Sequence, residues 1–208
     1  MSGPSTAAGG EVAVALAAPA CDSDESLAGA LARDLDRSFE RLVIAYRARI
    51  VTFVARMLHD DARAEDVAQD VFVRAYRALQ TYTPERRAAM RLRSWLYAIA
   101  HNLTRNAVRD APPPSDSLEY EDGEPRAALA ADAPGPEDSV LRGEAWGAVG
   151  DAIARLSPAL RAAFVMRYVD ELSYDEIAMT LNQPVGTVKA SAHRGLMAVR
   201  AQLEKKDE

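Results

Sequence analysis

A run near the C-terminus, SYDEIAMTLNQPVGTVK at positions 173–189, constrains this chain more than any other feature. Ser173 and Glu176 have the spacing of a capping box, which starts a helix. Positions 182–184 predict a tight turn, and Pro184 suits the first position of a second helix. Apolar residues recur every three or four positions on both sides of the turn. Two short helices joined in this way predict a helix-turn-helix that reads duplex DNA.

Charge divides the chain into segments. Residues 33–109 carry 15 Arg and nine Asp or Glu, a net charge of +6, whereas residues 110–144 carry a net charge of −8. Residues 145–208 are neutral overall, and residues 1–32 carry a net charge of −4. The net charge of −6 over 208 residues therefore comes from the tail and the middle. It does not argue against a nucleic-acid partner, because the first helical half is basic.

Composition predicts four segments. Residues 1–32 are rich in Ala, Gly, Ser and Pro and predict a disordered N-terminal tail. We expect a first helical domain over residues 33–110 and a second helical domain over residues 142–204. Residues 111–141 predict a flexible, acidic, Pro-rich linker. Because no alternating strand pattern persists, the fold class predicted is all-α, with two small helical domains.

Apolar periodicity places the helices of the first half. It predicts one helix over 39–57 and another that Asp60 or Asp61 caps and that runs to Leu79. The Arg-rich segment 80–93 has no clear period and is predicted to be mostly loop. Ser94 is predicted to cap a helix that ends at Arg109.

The second half is predicted to hold a helix over 144–156 before its DNA reader. Ser157 and Pro158 have the spacing of a cap followed by the first helical position. They predict a helix to about Val169, and the last helix of the chain is predicted to end near Leu203.

The only cysteine, Cys21, excludes an intrachain disulfide and a Cys-rich zinc site. A reducing cytoplasm is therefore the expected compartment. The apolar stretch 12–21 lacks a basic region before it, so we expect a disordered leader and not a signal peptide. No run approaches the roughly 18–20 apolar residues that span a bilayer, so no membrane contact is expected.

An enzyme is disfavoured. His59, His101 and His193 fall on different predicted elements without metal-ligand spacing, and no Gly-rich phosphate loop occurs. The sequence predicts no catalytic residue, metal or cofactor.

The helix over 61–79 has a polar face with Asp66, Gln69, Asp70 and Arg74 at three- and four-residue steps. Such a face is either solvated or a docking surface for a basic partner helix.

The helix that ends at Arg109 places His101, Arg105 and Arg109 at four-residue steps. This stripe is either solvated or lies along a nucleic-acid backbone. Trp95 is expected in the core. Tyr82 offers an aromatic face on which an unpaired base could stack, which is worth about 1–3 kcal/mol per base.

The order of these pieces resembles bacterial RNA polymerase sigma factors of the extracytoplasmic-function type. The resemblance covers about residues 35–109 and 142–203. The run 64–79 is similar to the family's polymerase-binding helix, and residues 94–102 are similar to the start of its promoter-opening helix. Residues 177–189 are similar to the reader in its second domain.

The resemblance implies a role for each matched position. The residues expected at the β′ clamp helices of core polymerase are Asp66, Gln69, Asp70 and Arg74. Those expected along the −10 element of promoter DNA are Tyr82, Arg86, Arg87, His101, Asn102, Arg105, Asn106 and Arg109. Those expected at the −35 element are Thr187, Lys189, Ala190, His193 and Arg194. The resemblance also implies contact with the β flap, regulation by an anti-sigma factor, and no cofactor.

The chain departs from the family pattern in two places. Positions 190–192 and 195–196 lack two cations that the family usually carries, which weakens the expected phosphate contacts at −35. The segment 82–95 is longer than usual, so the base preference at −10 does not transfer.

Two other kinds of protein remain open on the sequence alone. A stand-alone helix-turn-helix regulator would bind duplex tightly without polymerase, but it leaves residues 39–109 without a role. A helical adaptor that sequesters another factor would need no DNA contact.

Overall fold

The computed structural model describes residues 23–109 and 147–205. Within these ranges its first unit is built from helices, which agrees with the predicted all-α class. They are α1 (Asp24–Arg33), α2 (Leu35–Leu58), α3 (Asp61–Thr81), α4 (Pro84–Ala88) and α5 (Leu92–Arg109). The long helices α2, α3 and α5 pack against one another, and α1 lies against α2 and α4.

Side-chain caps fix where these helices begin. The Asp34 carboxylate accepts a hydrogen bond from the Arg37 amide at 3.1 Å, which starts α2. Asp60 does the same for the Arg63 amide at 3.0 Å, which confirms the predicted cap of α3. Each cap satisfies an amide that has no partner inside its own helix.

Three sequence expectations for the first unit are wrong. The tail predicted as disordered to residue 32 is helical over its last residues, where α1 buries Leu27 and Leu31 completely. The segment 80–93 is mostly helical because α4 occupies its middle. Ser94 is not a cap: α5 begins at Leu92, and Ser94 lies inside the helix at 4% exposure.

The second unit is also helical. It consists of α6 (residues 147–154), α7 (Pro158–Phe164), a π-helix (Val165–Val169), α8 (Tyr174–Leu181) and α9 (Val185–Glu204). The predicted capping box is confirmed, with the Ser173 amide donating to Glu176 Oε2 at 2.7 Å. Asn182 takes the left-handed conformation at φ 51°, which ends α8 and allows the turn into α9.

The two units pack together, which the sequence did not predict. Helix α8 lies along α5, and α7 and the π-helix reach α2. One continuous hydrophobic cluster includes Phe53 and Tyr97 from the first unit and Met166 and Leu172 from the second. We call this packing the closed arrangement. The all-α, two-domain prediction is confirmed, whereas the predicted linker lies outside the described residues.

Candidate nucleic-acid interface

A polar face runs along the outer side of α3. All four of its members are exposed: Asp66, Gln69, Asp70 and Arg74. The opposite side of the helix buries Val71, Ala75 and Leu79 in the core, so helical geometry holds the polar face outward. The prediction that these four residues share one accessible surface agrees with the structure.

A groove of about 250 Å³ lies between this face and α2. Val43, Ala68 and Phe72 contribute apolar surface, while Asp66 and Gln69 line its edge. An exposed ion pair between Arg47 and Glu65, with N···O at 2.8 Å, crosses from α2 to α3. A groove with an apolar floor and acidic edges suits a helix that presents both apolar and basic side chains.

Tyr82 and Trp95 form an aromatic pair at the junction of α3, α4 and α5. Their ring centroids are 6.2 Å apart in an edge-to-face arrangement, and both rings are half-buried. The Arg86 guanidinium lies 3.7 Å from the centroid of the Tyr82 ring. The predicted aromatic residues therefore lie together, and the guanidinium covers one face of the Tyr82 ring.

Arg87, predicted at the same surface, has a different position. It is half-buried and donates to the Tyr82 carbonyl at 3.2 Å and to the Leu31 carbonyl at 2.8 Å. These bonds join α4 to the end of α1 and to the residue that follows α3. The guanidinium of Arg87 is therefore engaged in the fold, unlike that of Arg86.

The C-terminal half of α5 presents the remaining residues predicted for the −10 element. Asn102, Arg105 and Arg109 are exposed, whereas His101 and Asn106 are half-buried. Burial, with a smaller contribution from the Arg105 charge, lowers the pKa of His101 below 6.5. This shift favours the neutral form of the His101 imidazole over the cation.

Helix α9 presents the third polar face. All five predicted members are exposed: Thr187, Lys189, Ala190, His193 and Arg194. The opposite side of α9 buries Val188, Ala192 and Val199. A helix of this length is about 30 Å long. These five side chains are thus exposed to solvent even in the closed arrangement.

Tyr174, which sequence reasoning did not single out, lies between two cations. The Arg167 guanidinium is 4.7 Å and the Lys189 ammonium 5.6 Å from its ring centroid. Tyr174, the first residue of α8, thereby helps to orient Lys189 of the reading face on α9. The only feature of the sequence that could have pointed to Tyr174 is its position directly after the cap Ser173.

The positions where family cations are missing are packing positions in this chain. Ser191 and Gly195 are buried, and Leu196 is half-buried. A Cβ on Gly195 would lie 3.1 Å from Phe164 Cβ and 3.2 Å from the Leu160 carbonyl oxygen. A larger side chain would push Phe164 or the Leu160 backbone by a few tenths of an ångström, because α9 crosses α7 closely.

Two other kinds of site are missing from the described ranges. No group of three or more His, Cys, Asp or Glu side chains there could hold a metal ion. None of the helices in those ranges is long and apolar enough to cross a membrane.

Both units match known protein families. Residues 42–112 match the family model described as Sigma-70 region 2, and residues 146–199 match Sigma-70, region 4. The ECF RNA polymerase sigma factor SigW of Bacillus subtilis is 36% identical over 174 residues, which cover 80% of this chain and 89% of SigW. The chain belongs to the extracytoplasmic-function family of RNA polymerase sigma factors. Members of this family direct transcription initiation and recognise promoters.

Further similarities agree with this assignment. The RNA polymerase sigma-H factor of Pseudomonas aeruginosa is 34% identical to this sigma factor over 187 residues, covering 88% of this chain and 95% of the relative. Among solved structures, CnrH in complex with the cytosolic domain of CnrY matches with a TM-score of 0.64 at 22% identity, over 88% of this chain and 97% of that chain. RpoE in complex with the anti-sigma factor NepR from Bartonella quintana matches with a TM-score of 0.61 at 18% identity, over 81% and 98%. At these identities the two structures support the fold alone.

Proposed function

We propose that this sigma factor divides its work among the three polar faces described above. The α3 face binds core polymerase, the Tyr82 pair and α5 bind the −10 element, and α9 reads the −35 element. The observation that supports this division is that α3 and α9 each expose a polar face while the opposite side of the helix is buried, and that the −10 surface lies apart from both on α4 and α5. No single face serves two partners.

Core polymerase binds at the groove between α2 and α3. Asp66, Gln69 and Asp70 meet basic side chains of the β′ clamp helices, and the apolar floor receives the apolar side of one of those helices. Arg74, one turn further on, pairs with an acidic group. Charge complementarity of this kind raises the association rate and sets orientation, while the buried apolar contact supplies affinity. The second unit contacts the β flap.

Strand opening at −10 uses the aromatic pair. An unpaired base loses a few kcal/mol of stacking when it leaves the duplex. Stacking on Tyr82, with Arg86 beside it, returns about 1–3 kcal/mol. Asn102 offers an amide to the base edge, and Arg105 and Arg109 follow the phosphates with Asn106 alongside. His101 contributes a neutral hydrogen-bonding group at this surface.

Helix α9 enters the major groove at −35. Lys189 and Arg194 contact phosphates or guanine edges, Thr187 and His193 contact neighbouring groups, and Ala190 permits close approach. Few cations lie on this face, so the sigma factor alone binds duplex weakly and with a shallow salt dependence. Affinity for a promoter comes from simultaneous engagement of both elements on polymerase.

Promoter binding requires the two units to separate. The −10 and −35 elements lie about one and a half turns apart, roughly 50 Å along the duplex. In the closed arrangement α8, which leads into the −35 reader, lies directly against α5, which holds the −10 residues. We therefore infer that the closed arrangement is an inactive form.

We further propose that an anti-sigma factor stabilises this form. The structurally similar sigma factor RpoE from Bartonella quintana is bound by an anti-sigma factor, NepR, in its crystal. The sigma factor described here would act in the cytoplasm, where polymerase is found, and would have no catalytic activity of its own.

In vitro transcription tests the proposal. Core polymerase with the purified chain is expected to start RNA on a promoter taken from the host genome, whereas core polymerase alone is not. A pull-down at moderate salt measures polymerase binding separately. Absence of polymerase binding would refute the role of the α3 face, and tight specific duplex binding without polymerase would favour a stand-alone regulator.

A further inference from the structure

The interface between the two units is polar at its centre. Arg93 of α5 donates through Nη2 to the carbonyl of Asp170, the residue that ends the π-helix. Its Nη1 lies 3.9 Å from Glu176 Oε1 of α8. Beside it, Thr180 Oγ1 donates to the Ser94 carbonyl at 3.1 Å, and both residues are buried. These contacts join residues that are far apart in sequence.

Several polar atoms at this interface are buried without a hydrogen-bond partner among the described residues. They include Arg93 Nε and Ser94 Oγ, whereas the buried Tyr97 hydroxyl and the Asp170 carboxyl interact with each other. A buried polar group without a partner costs about 1–3 kcal/mol. Water satisfies these groups when the units separate, so the closed arrangement carries a built-in penalty that opening relieves.

Asp170 is the acidic group at the centre of this cluster and is only 8% exposed. The groups that act on its carboxyl are Arg93 and Tyr97 of α5 and Arg49 of α2. Glu176 of α8 faces the same Arg93. The charge of Arg93 also acts on Tyr46 of α2, whose hydroxyl donates to Asp24 of α1.

We propose that the ionisation state of Asp170 controls whether the two units of this sigma factor are closed or open. A neutral carboxyl is accommodated between α5 and the π-helix, whereas an ionised one is buried there without enough compensating contacts. Separation of the units returns the carboxylate to water. The device therefore lies within the chain itself and needs no partner protein.

The direction of the pH dependence follows from burial. Desolvation raises the pKa of Asp170 from 3.8 to about 7 in the closed arrangement, and its neighbours Tyr97, Arg93 and Arg49 offset only part of that effect. The closed form therefore binds more protons than the open form between these two values, so closure weakens as pH rises through that interval. From pH 6 to pH 8 the closing equilibrium constant is expected to fall about tenfold.

The test measures the separation of the units in the full chain without polymerase. In a Cys21→Ser background, Ala62→Cys on α3 and Ala201→Cys on α9 provide two exposed sites for a fluorescent donor and acceptor. Energy transfer is followed from pH 6 to pH 8.5 at fixed ionic strength, above the isoelectric point near 5.2. We expect transfer to fall with rising pH. Because polymerase is absent, this result is independent of the proposed promoter function.

Two variants test whether the change in energy transfer is caused by ionisation of Asp170. Asp170→Asn keeps the size of the side chain but cannot ionise, so it should stay closed across the whole pH range. Glu171→Gln removes the charge of the adjacent exposed residue and should behave like the parent chain. Circular dichroism at each pH verifies that the helices persist. A parent chain with pH-independent transfer, or an Asp170→Asn chain that still opens as pH rises, would overturn the proposal.

Discussion

Arg161 Nη1 donates a hydrogen bond of 2.8 Å to the carbonyl of Met57, near the C-terminal end of α2. The same guanidinium donates to the carbonyls of Ile153, Ala154 and Leu156, at and just beyond the end of α6. One side chain of the second unit thus caps two helix ends, one of them in the first unit. Carbonyls at helix ends lack partners within the helix, and Arg161 supplies them.

Replacement of Arg161 should therefore destabilise the whole chain. Arg161→Met removes all four hydrogen bonds and leaves partly buried carbonyls, which should lower the free energy of unfolding by about 2–3 kcal/mol. Urea unfolding followed by circular dichroism measures the loss. Arg155→Met, at an exposed position between α6 and α7, should change stability by less than about 0.5 kcal/mol. Equal effects of the two changes would contradict the capping role.

The close crossing of α7 and α9 makes a second stability prediction. Gly195→Ala places a methyl group 3.1 Å from Phe164 Cβ, so the helices must shift, at a cost of about 1–3 kcal/mol. Gly186→Ala, also within α9, meets nothing within 4 Å and should be neutral or stabilising by up to about 1 kcal/mol. Urea midpoints measured side by side distinguish them. A neutral Gly195→Ala would show that this crossing can relax.

Reversal of a charge on the α3 face is expected to weaken binding to core polymerase. Asp66→Lys should weaken binding to core polymerase by about tenfold or more, since like charges would face each other at the clamp. The fold should be unaffected because Asp66 is exposed. A pull-down titrated with salt measures the effect. Glu204→Lys, an equal change of charge at the end of α9, is the control and should bind polymerase normally.

A substitution on the α9 face is expected to impair −35 recognition without impairing polymerase binding. Arg194→Ala should weaken −35-dependent binding by about tenfold, which corresponds to a contact worth about 1–3 kcal/mol, while polymerase affinity stays unchanged. Transcription from promoters with intact and scrambled −35 elements measures the loss. Arg200→Ala, exposed further along α9 outside the predicted reading face, should leave it intact. If polymerase binding fell along with −35 recognition, the proposed division of roles would be wrong.

The sequence by itself determined the helix-turn-helix, the long helices α2, α3 and α5, and the resemblance to the family, but it missed α1 and α4. Asp60 and the Ser173–Glu176 pair identified their caps because capping depends on residues only three positions apart. The exposed faces of α3 and α9 followed from the spacing of apolar residues, because a helix buries one side and exposes the other. These features depend on residues that are close together in the chain, so they can be predicted from one sequence.

Only the tertiary structure decided which polar residues belong to the fold. Arg87 was predicted at DNA but ties α1 to the first unit, and Ser94 was predicted as a cap but is buried beneath Thr180. Arg93 and Asp170 lie far apart in sequence and meet across the interface between the two units. Each role depends on a partner from a distant segment, and no periodicity within one helix specifies which distant segment will cover it.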